Sequence, residues 1–282
     1  MSVHNHSDRA DQKLSGAIFV NVLLTIAQVA GGVISGSLSL IADALHNLSD
    51  AGAILIALVA RKIGKRDADE NLTYGYKRAE ILGTLINSAT LIIVGLYLIY
   101  EALNRYFNPT PIDGWMVLWI GALALAIDVG TAILTYSAGA KESINIRAAF
   151  VHNVSDALAS VAVIVAGALI ISFEFYAVDV VAAAGISAYV VYQGATLLRR
   201  SIAILMQAVP EGISTSEIKT ALEGIPGVQE VSHIHVWQLD DRKLFFEGHF
   251  SLDGESQGAL KQAIRETLLQ RFDISHTTIE VD

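Results

Sequence analysis

Two short motifs carry the side chains best suited to binding a metal ion. His46 and Asp50 bound the sequence His-Asn-Leu-Ser-Asp, and His152 and Asp156 bound His-Asn-Val-Ser-Asp. Because residues four apart lie on one face of a helix, each motif predicts an imidazole beside a carboxylate. Two nitrogen and two oxygen ligands suit tetrahedral Zn²⁺ better than Mg²⁺ or Ca²⁺, which prefer six or more oxygens. The chain has no cysteine, so nitrogen and oxygen must supply every metal ligand.

The elements that must position these motifs are long apolar segments. Of the 282 residues, 53% are hydrophobic and 17% are charged. A soluble domain cannot bury so much apolar surface, which excludes an ordinary cytoplasmic enzyme and predicts an α-helical protein embedded in the lipid bilayer. Six spans are long enough to cross a hydrocarbon core about 30 Å thick. They are predicted at Leu14–Ser35, Leu38–Ile63, Ala79–Tyr100, Met116–Ala138, Arg147–Ile171 and Tyr176–Leu198.

The two motifs fall in the second and fifth spans, which cross the bilayer in opposite directions. His46 should therefore lie on the outer side of Asp50, and His152 on the inner side of Asp156, so that the four side chains interleave around one point. A charged side chain at the bilayer centre costs about 2.5–3.5 kcal/mol, which argues against a purely structural role for four such groups. The pattern predicts a metal site within the membrane.

Charge balance suggests what such a site does. Two aspartates neutralise a divalent cation, and protons should replace the metal when it leaves a cavity of low dielectric. Histidine is suited to this exchange because its ordinary pKa, about 6.5, lies near cellular pH. The sequence therefore predicts metal and proton antiport by alternating access.

Three other functions remain open at this point. A passive divalent-cation channel would use similar ligands without obligatory proton exchange. A membrane metal sensor would report cytosolic zinc without moving it. A membrane metallohydrolase is disfavoured because the spans contain no HExxH motif and no free general base beside the metal ligands, and we expect that the protein is not an enzyme.

Basic residues in the connecting segments predict the orientation. Before Val209, twelve Lys and Arg residues lie in the connecting segments on one side of the membrane. Arg105 is the single basic residue in the segments on the opposite side. Because Lys and Arg are retained on the cytoplasmic side, both termini should be cytoplasmic. The predicted domains are a polar tail at residues 1–13, a transmembrane domain at residues 14–206 and a cytoplasmic domain at residues 209–282.

The cytoplasmic domain reads as a small acidic αββαβ module. From Val209 onward the chain has 13 acidic and 6 basic residues, so it lacks the basic stripe that nucleic acid would need. Ser214 and Glu217 form a capping box that opens a helix reaching about Glu223. Two strands, Val228–Leu239 and Lys243–Leu252, flank an Asp-Asp-Arg turn, and a helix at about Ser256–Phe272 precedes a strand at His276–Val281.

Histidines on this module form a second candidate metal cluster. A register in which paired residue numbers sum to 482 places His233 opposite His249, His235 opposite Glu247 and Trp237 opposite Phe245. In the last strand, Ile279 and Val281 should face the core, which leaves the polar residues as further possible ligands. These are His276, Thr278, Glu280 and Asp282. An exposed polar face or a dimer surface explains the same residues equally well.

Other polar residues within the spans have weaker patterns. Asp43 lies one turn from His46, where it can orient the imidazole, line the outer path or make a structural hydrogen bond. Asn21, Gln28 and Asn87 are typical of helix-packing hydrogen bonders. Asp128 is a candidate for touching the ion route, and we expect Asp179 to act as a cap. In the tail, the His4 and His6 pattern is typical of a weak metal-binding motif, and it is equally typical of a disordered segment.

Taken together, these residues resemble a cation diffusion facilitator of bacterial type. The resemblance rests on the two HNxSD motifs, Tyr74-Gly-Tyr-Lys-Arg-Ala-Glu80, Val209-Pro210 and His233-Ile-His-Val-Trp237. It implies a homodimer in the bacterial inner membrane that exports cytosolic Zn²⁺ in exchange for protons, with a ferredoxin-like cytoplasmic domain. It also implies that His46, Asp50, His152 and Asp156 are the transport ligands.

Some family features are altered here. A site that some members hold between the second and third spans uses one Asp and two His. Asp69 is followed here by Leu72 and Tyr76 at the histidine positions, so we expect no ion there. Glu280 stands where some members place a histidine, although Asp282 still matches a carboxylate ligand. Arg78 matches the basic half of a charge pair between subunits, whereas Gln207 replaces its acidic partner.

Overall fold

The structure, a computed structural model, describes residues 21–64, 66–137, 144–240, 243–253 and 257–282. The predicted tail at residues 1–13, with His4 and His6, lies outside these residues, as do Asp241 and Arg242 of the predicted turn. Within the described residues α1 covers Asn21–Ser35. The other elements are α2 (Leu38–Gly64), α3 (Ala79–Phe107), α4 (Gly114–Ser137), α5 (Ile144–Phe173), α6 (Ala177–Leu205), α7 (Thr215–Glu223), β1 (Val228–Gln238), β2 (Leu244–Leu252), α8 (Gln257–Phe272) and β3 (Ile274–Val281).

The helical membrane fold predicted from the apolar segments is confirmed. Helices α3 to α6 each contain a stretch long and apolar enough to cross a membrane, and the described part of α1 is a shorter apolar helix. Helix α2 has 27 residues, which at 1.5 Å per residue also exceeds a hydrocarbon core of about 30 Å. Helices α3 and α6 continue seven residues past their predicted ends, because helical hydrogen bonding does not stop where the apolar run stops.

Glycines allow α4 and α5 to pack closely. A methyl group added to Gly167 would lie 2.9 Å from the backbone nitrogen of Leu118, and one added to Gly121 would lie 3.1 Å from the side chain of Ile164. Small residues of this kind let membrane helices approach until their backbones touch. The contact holds α5, which carries His152 and Asp156, against α4.

Asp179 caps a helix other than its own. Its carboxylate accepts hydrogen bonds from the backbone N–H of Leu38, at 2.8 Å, and from the Ser37 and Ser39 hydroxyls, at 2.6 and 2.5 Å. These donors form the N-terminus of α2, where unpaired N–H groups and the helix dipole favour a negative charge. The predicted capping role is confirmed, with α2 rather than α6 as the recipient.

The described chain forms two compact units. One comprises the described residues up to Leu55 together with Asn87–Ala195, and the other comprises Ile56–Ile86 together with Thr196–Asp282. The first unit therefore contains both HNxSD motifs. The second contains the connection between α2 and α3 as well as the αββαβ module.

The αββαβ order of the C-terminal module is confirmed. Strands follow the order β1-β2-β3, with β1 antiparallel and β3 parallel to β2. The parallel pair is joined through α8, as a parallel connection requires. One sheet face packs against α7 and α8 around Phe246, Phe250, Ile218 and Leu268, all fully buried. As predicted, the Ser214 hydroxyl accepts a hydrogen bond from the Glu217 N–H at the start of α7.

The predicted strand register is correct over half its length and wrong at His233. Cα partners include His235 with Glu247 and Trp237 with Phe245, but His249 pairs with Ser232. A bulge between Ser232 and His235 causes the difference, and His233 takes a φ of 46° there. An extra residue in one strand shifts the pairing of all residues past the bulge by one position. The alternation of apolar and polar residues in the sequence does not reveal such a bulge.

Candidate metal centre

Helices α2 and α5 bring the four predicted ligands to one point. One ligand atom from each of His46, Asp50, His152 and Asp156 lies within 4.8 Å of the other three. Among the residues that the structure describes, no other group of three or more such side chains satisfies this distance. The side chains of the two motifs thus lie next to each other, as the opposite directions of the second and fifth spans predict.

The shortest contacts join one motif to the other. His46 Nε2 lies 2.9 Å from Asp156 Oδ1, and His152 Nε2 lies 3.1 Å from Asp50 Oδ2. Within each motif the distances are longer, 3.9 Å for His46 to Asp50 and 3.6 Å for His152 to Asp156. Tetrahedral Zn²⁺ with bonds of about 2.0–2.1 Å holds its ligand atoms about 3.3 Å apart. The spacing of the four side chains is close to this geometry.

Burial differs between the two ends of the cluster. The side chains of His46 and Asp156 are 5% and 11% exposed, whereas those of Asp50 and His152 are 29% and 37% exposed. Asp50 lies one turn C-terminal to His46 on α2, and His152 lies one turn N-terminal to Asp156 on α5. The two more exposed side chains therefore come from different helices.

Buried polar side chains on the helices that carry the cluster, and on their neighbours, form hydrogen bonds with one another. The Gln28 amide donates to Asp43 at 2.6 Å, and the Asn47 amide donates to Gln28 at 3.0 Å. Asp43, only 1% exposed, therefore has the structural hydrogen bond that we considered for it, and Gln28 has the packing role predicted. Asp128 accepts a hydrogen bond from the Ser160 hydroxyl at 2.7 Å, which ties α4 to the helix that carries Asp156.

Tyr189 is a neighbour that the sequence did not indicate. Its ring centroid lies 5.8 Å from that of His46 in an edge-to-face arrangement, and the His152 ring centroid also lies 5.8 Å from that of His46. No motif or spacing distinguishes Tyr189 from Tyr176 and Tyr192 in the same predicted span. Its position beside His46 follows from the packing of α6.

The cytoplasmic module gathers part of the second predicted cluster. The ring centroids of His233 and His249 lie 4.8 Å apart despite the bulge, and His249 Nδ1 lies 3.1 Å from Asp282 Oδ1. Glu280 is the Cα partner of His249 across the β2–β3 pair. His276 instead lies against Phe245, with ring centroids 4.4 Å apart. The cluster is looser and more exposed than the one within the helices.

Asp69 organises the connection between α2 and α3. Its Oδ1 accepts hydrogen bonds from the Asn71 and Leu72 N–H groups, each at 2.8 Å, and its Oδ2 accepts one from the Tyr76 hydroxyl at 2.9 Å. These hydrogen bonds lower the pKa of Asp69, most strongly the bond from the Leu72 N–H, then that from the Asn71 N–H and then that from the Tyr76 hydroxyl. The same bond to Asp69 raises the pKa of Tyr76. The Leu72 N–H and the Tyr76 hydroxyl thus hold the Asp69 carboxylate in place.

Comparison with known proteins gives matches along nearly the whole chain. A family model described as the cation efflux transmembrane domain matches residues 16–206, and one described as the cytoplasmic domain of cation efflux proteins matches residues 210–282.

Several curated bacterial proteins are similar over about nine tenths of their length. A cadmium, cobalt and zinc/H(+)-K(+) antiporter of Bacillus subtilis is 35% identical, with 99% of this chain and 91% of that protein covered. The metal cation efflux system protein CzcD of Cupriavidus metallidurans is 34% identical, with 99% and 89% covered. The zinc transporter ZitB of Pectobacterium atrosepticum is 31% identical, with 99% and 88% covered.

Proposed function

Because the chain belongs to the cation efflux family, we propose that it exports Zn²⁺ from the cytoplasm in exchange for protons. It is an integral membrane protein of a family of transporters, not enzymes. The observation that carries the proposal is the interleaved cluster of two imidazoles and two carboxylates on α2 and α5. The names of the relatives include zinc, cadmium and cobalt, and we propose Zn²⁺ first because nitrogen and oxygen ligands in tetrahedral array suit it.

We propose that His46, Asp50, His152 and Asp156 all bind the transported ion. The two aspartates balance its charge, so the loaded site is neutral within the bilayer. When the ion leaves, two carboxylates remain in contact with two imidazoles at 2.9 and 3.1 Å, a geometry in which protons can be shared between each pair. Metal and protons therefore compete for the same atoms, which couples outward metal movement to inward proton movement.

The graded exposure of the cluster supports loading from the cytoplasm. With both termini cytoplasmic, as the basic residues predict, α2 runs inward from its N-terminus and α5 runs outward. Asp50 and His152, the more exposed pair, then lie nearer the cytoplasm, and the buried pair lies nearer the outer side. Alternating access requires the helices to close this inner path and open an outer one around the same four ligands.

We further propose a homodimer in the bacterial inner membrane, with the domain division predicted from the sequence. The relatives are bacterial, and the family resemblance implies the dimer. His233, His249 and Asp282, with Glu280 beside them, would bind Zn²⁺ in the cytoplasmic domain as a regulatory ligand. The 3.1 Å contact between His249 and Asp282 supports this assignment.

The test is zinc flux in sealed vesicles that contain a pH-sensitive dye. Addition of Zn²⁺ to the cytoplasmic face should raise internal zinc and move protons in the opposite direction, and an imposed pH gradient should drive zinc against its concentration gradient. Zinc flux without proton movement would support a passive channel instead. Zinc binding without any flux would support a metal sensor.

A further inference from the structure

Two further carboxylates are buried among the helices that carry the four proposed ligands. Asp43 on α2 is 1% exposed and Asp128 on α4 is 5% exposed. Residues 14–60, 106–140 and 148–198 contain no Lys or Arg, and the imidazoles of the two motifs are the sole basic side chains within these stretches. A bare carboxylate in an apolar interior is costly unless it has a counter-ion. Asp43 and Asp128 lack the usual cationic partner.

Each of these carboxylates uses one oxygen as a hydrogen-bond acceptor. The Gln28 amide of α1 donates to Asp43 Oδ2 at 2.6 Å, and the Ser160 hydroxyl of α5 donates to Asp128 Oδ2 at 2.7 Å. Among the residues that the structure describes, none donates a hydrogen bond to Oδ1 of either group. One oxygen of each group is therefore held in position, and the other is available to carry a proton.

Both groups lie toward the same end of the cluster. Helices α2 and α5 are antiparallel there, because the histidine of each motif contacts the aspartate of the other. Asp43 is three residues before His46 on α2. Ser160, which holds Asp128, is four residues after Asp156 on α5. A step back along α2 and a step forward along α5 lead to one end of the bundle, which is the outer end if both termini are cytoplasmic.

The two carboxylates interact with the cluster through their charges. The charged groups that act on Asp43 are Asp128, His46 and Asp156. Those that act on Asp128 are Asp156, His46 and His152. No hydrogen bond within the described part of the chain joins either carboxylate to a proposed ligand. Residues three apart on a helix have Cβ atoms about 5–6 Å apart, so one water molecule can bridge Asp43 and His46.

Charge balance indicates the state of the two groups. In the zinc-loaded site Asp50 and Asp156 balance the ion, so ionised Asp43 and Asp128 would add two uncompensated negative charges. Both should therefore hold protons while zinc is bound. When zinc leaves, the emptied ligands need two protons to restore the same net charge. The carboxylic acids of Asp43 and Asp128 are proton donors at the outer end of these ligands.

We propose that Asp43 and Asp128 form a proton relay that supplies the cluster from its outer side. This inference rests on the proposed function, since it names the groups that deliver the exchanged protons. In each transfer the O–H bond of a relay carboxylic acid breaks, and an N–H bond forms on His46 or an O–H bond forms on Asp156. The relay carboxylate then takes a proton from water on the outer side. Two protons thus replace one divalent ion, and neither relay group binds the metal.

The experiment compares two zinc movements by the full-length protein in inverted vesicles. One is net zinc uptake driven by an acidic interior, which requires protons to leave. The other is exchange of external radioactive zinc for internal zinc at equal pH, which requires only that the site change sides with zinc bound. The Asp43→Asn/Asp128→Asn variant keeps the size of both groups and a hydrogen-bond acceptor on each, but it cannot release their protons. Asp113→Asn, the same change at the exposed cap of α4, is the control.

Net uptake by the double variant should fall at least about 100-fold, the lower range for a positioned proton-transfer group, while exchange stays within about twofold of the wild type. Each single substitution should reduce net uptake more than exchange, and Asp113→Asn should leave both unchanged. Equal loss of both movements would show that the two carboxylates only support the fold. Unchanged net uptake would show that protons reach the ligands without them, and either result overturns the relay. Absence of pH-driven uptake in the wild type would instead refute the antiport itself, and the relay with it.

Discussion

His46 on α2 contacts Asp156 on α5 more closely than it contacts Asp50 of its own motif. The Nε2 atom lies 2.9 Å from Asp156 Oδ1 and 3.9 Å from Asp50 Oδ2. Each imidazole therefore pairs with the carboxylate of the other helix. Under the proposed function, a metal ion bound by all four side chains would join α2 to α5, and its departure would leave two pairs able to share protons, so ion binding and helix packing would be linked.

Loss of one ligand should stop transport. Asp156→Ala removes a buried oxygen ligand and leaves the zinc-loaded site with a net positive charge. We expect zinc flux into inverted vesicles to fall at least about 100-fold. Mutation of residues that only hydrogen-bond to a metal ligand already lowers affinity or activity by up to that factor. Asp113→Asn is the matched control, because Asp113 caps the start of α4 and Asn caps equally well. Normal transport by Asp156→Ala would refute the ligand assignment.

Zinc binding should release protons. The imidazoles and carboxylates must lose their protons to bind the metal, so affinity should fall as pH decreases from 8 to 6. Calorimetric titration of the purified protein in buffers of different ionisation enthalpy measures the number of protons released. A binding enthalpy that does not depend on the buffer would contradict proton exchange at this site.

Close packing of α4 on α5 should make Gly167 intolerant of a side chain. In Gly167→Ala the new methyl group would meet backbone atoms of Leu118 and Gly114 at 2.9–3.2 Å, which should destabilise the protein by about 1–3 kcal/mol. Gly130→Ala, in α4 with nothing within 4 Å, should be neutral or stabilising by up to about 1 kcal/mol. Thermal unfolding in detergent compares the two, and equal melting temperatures would contradict the packing.

Removal of the Asp179 carboxylate should destabilise the start of α2. Asp179→Ala leaves buried donors at Ser37, Leu38 and Ser39 without their acceptor, and we expect a loss of about 2–5 kcal/mol. Ser37→Ala leaves the Asp179 carboxylate in place but removes the Ser37 hydroxyl, which bonds to Asp179, to the Ser39 hydroxyl and to the Leu40 N–H, and it should cost less, about 0.5–2 kcal/mol. Apparent melting temperatures in detergent measure both variants, and the reverse order of effects would be inconsistent with the cap.

The connection between α2 and α3 should stay ordered at neutral and mildly acidic pH. Hydrogen bonds lower the pKa of Asp69 below its ordinary value of 3.8, so its contribution is complete above that value and is lost as pH falls through the lowered pKa. Asp69→Asn should therefore speed trypsin cleavage after Lys77 at pH 8, and Asp67→Asn should not. Equal cleavage of both variants would show that the Asp69 bonds do not order the segment.

Local periodicity accounts for most of what could be predicted. Residues four apart share a helix face, so the pairs His46–Asp50 and His152–Asp156 follow from spacing alone. The pairs His235–Glu247 and Trp237–Phe245 need, in addition, the register that the turn between the strands sets. The opposite directions of the second and fifth spans, counted along the chain, then place the four ligands near one another. Because alternate residues share a strand face, Ile279 and Val281 face the core.

The sequence by itself thus determined the membrane helices, the αββαβ order and the side chains able to bind an ion. Only the tertiary structure decided which groups meet across distant segments: Asp179 at the start of α2, Gln28 on Asp43, Tyr189 on His46, the bulge at His233 and the contact of Tyr74 with Phe245. Spacing along one element reports the face of that element on which a residue lies. It carries no information on the rotation and depth at which another element packs, because side-chain volume and buried hydrogen bonds from both elements determine these together.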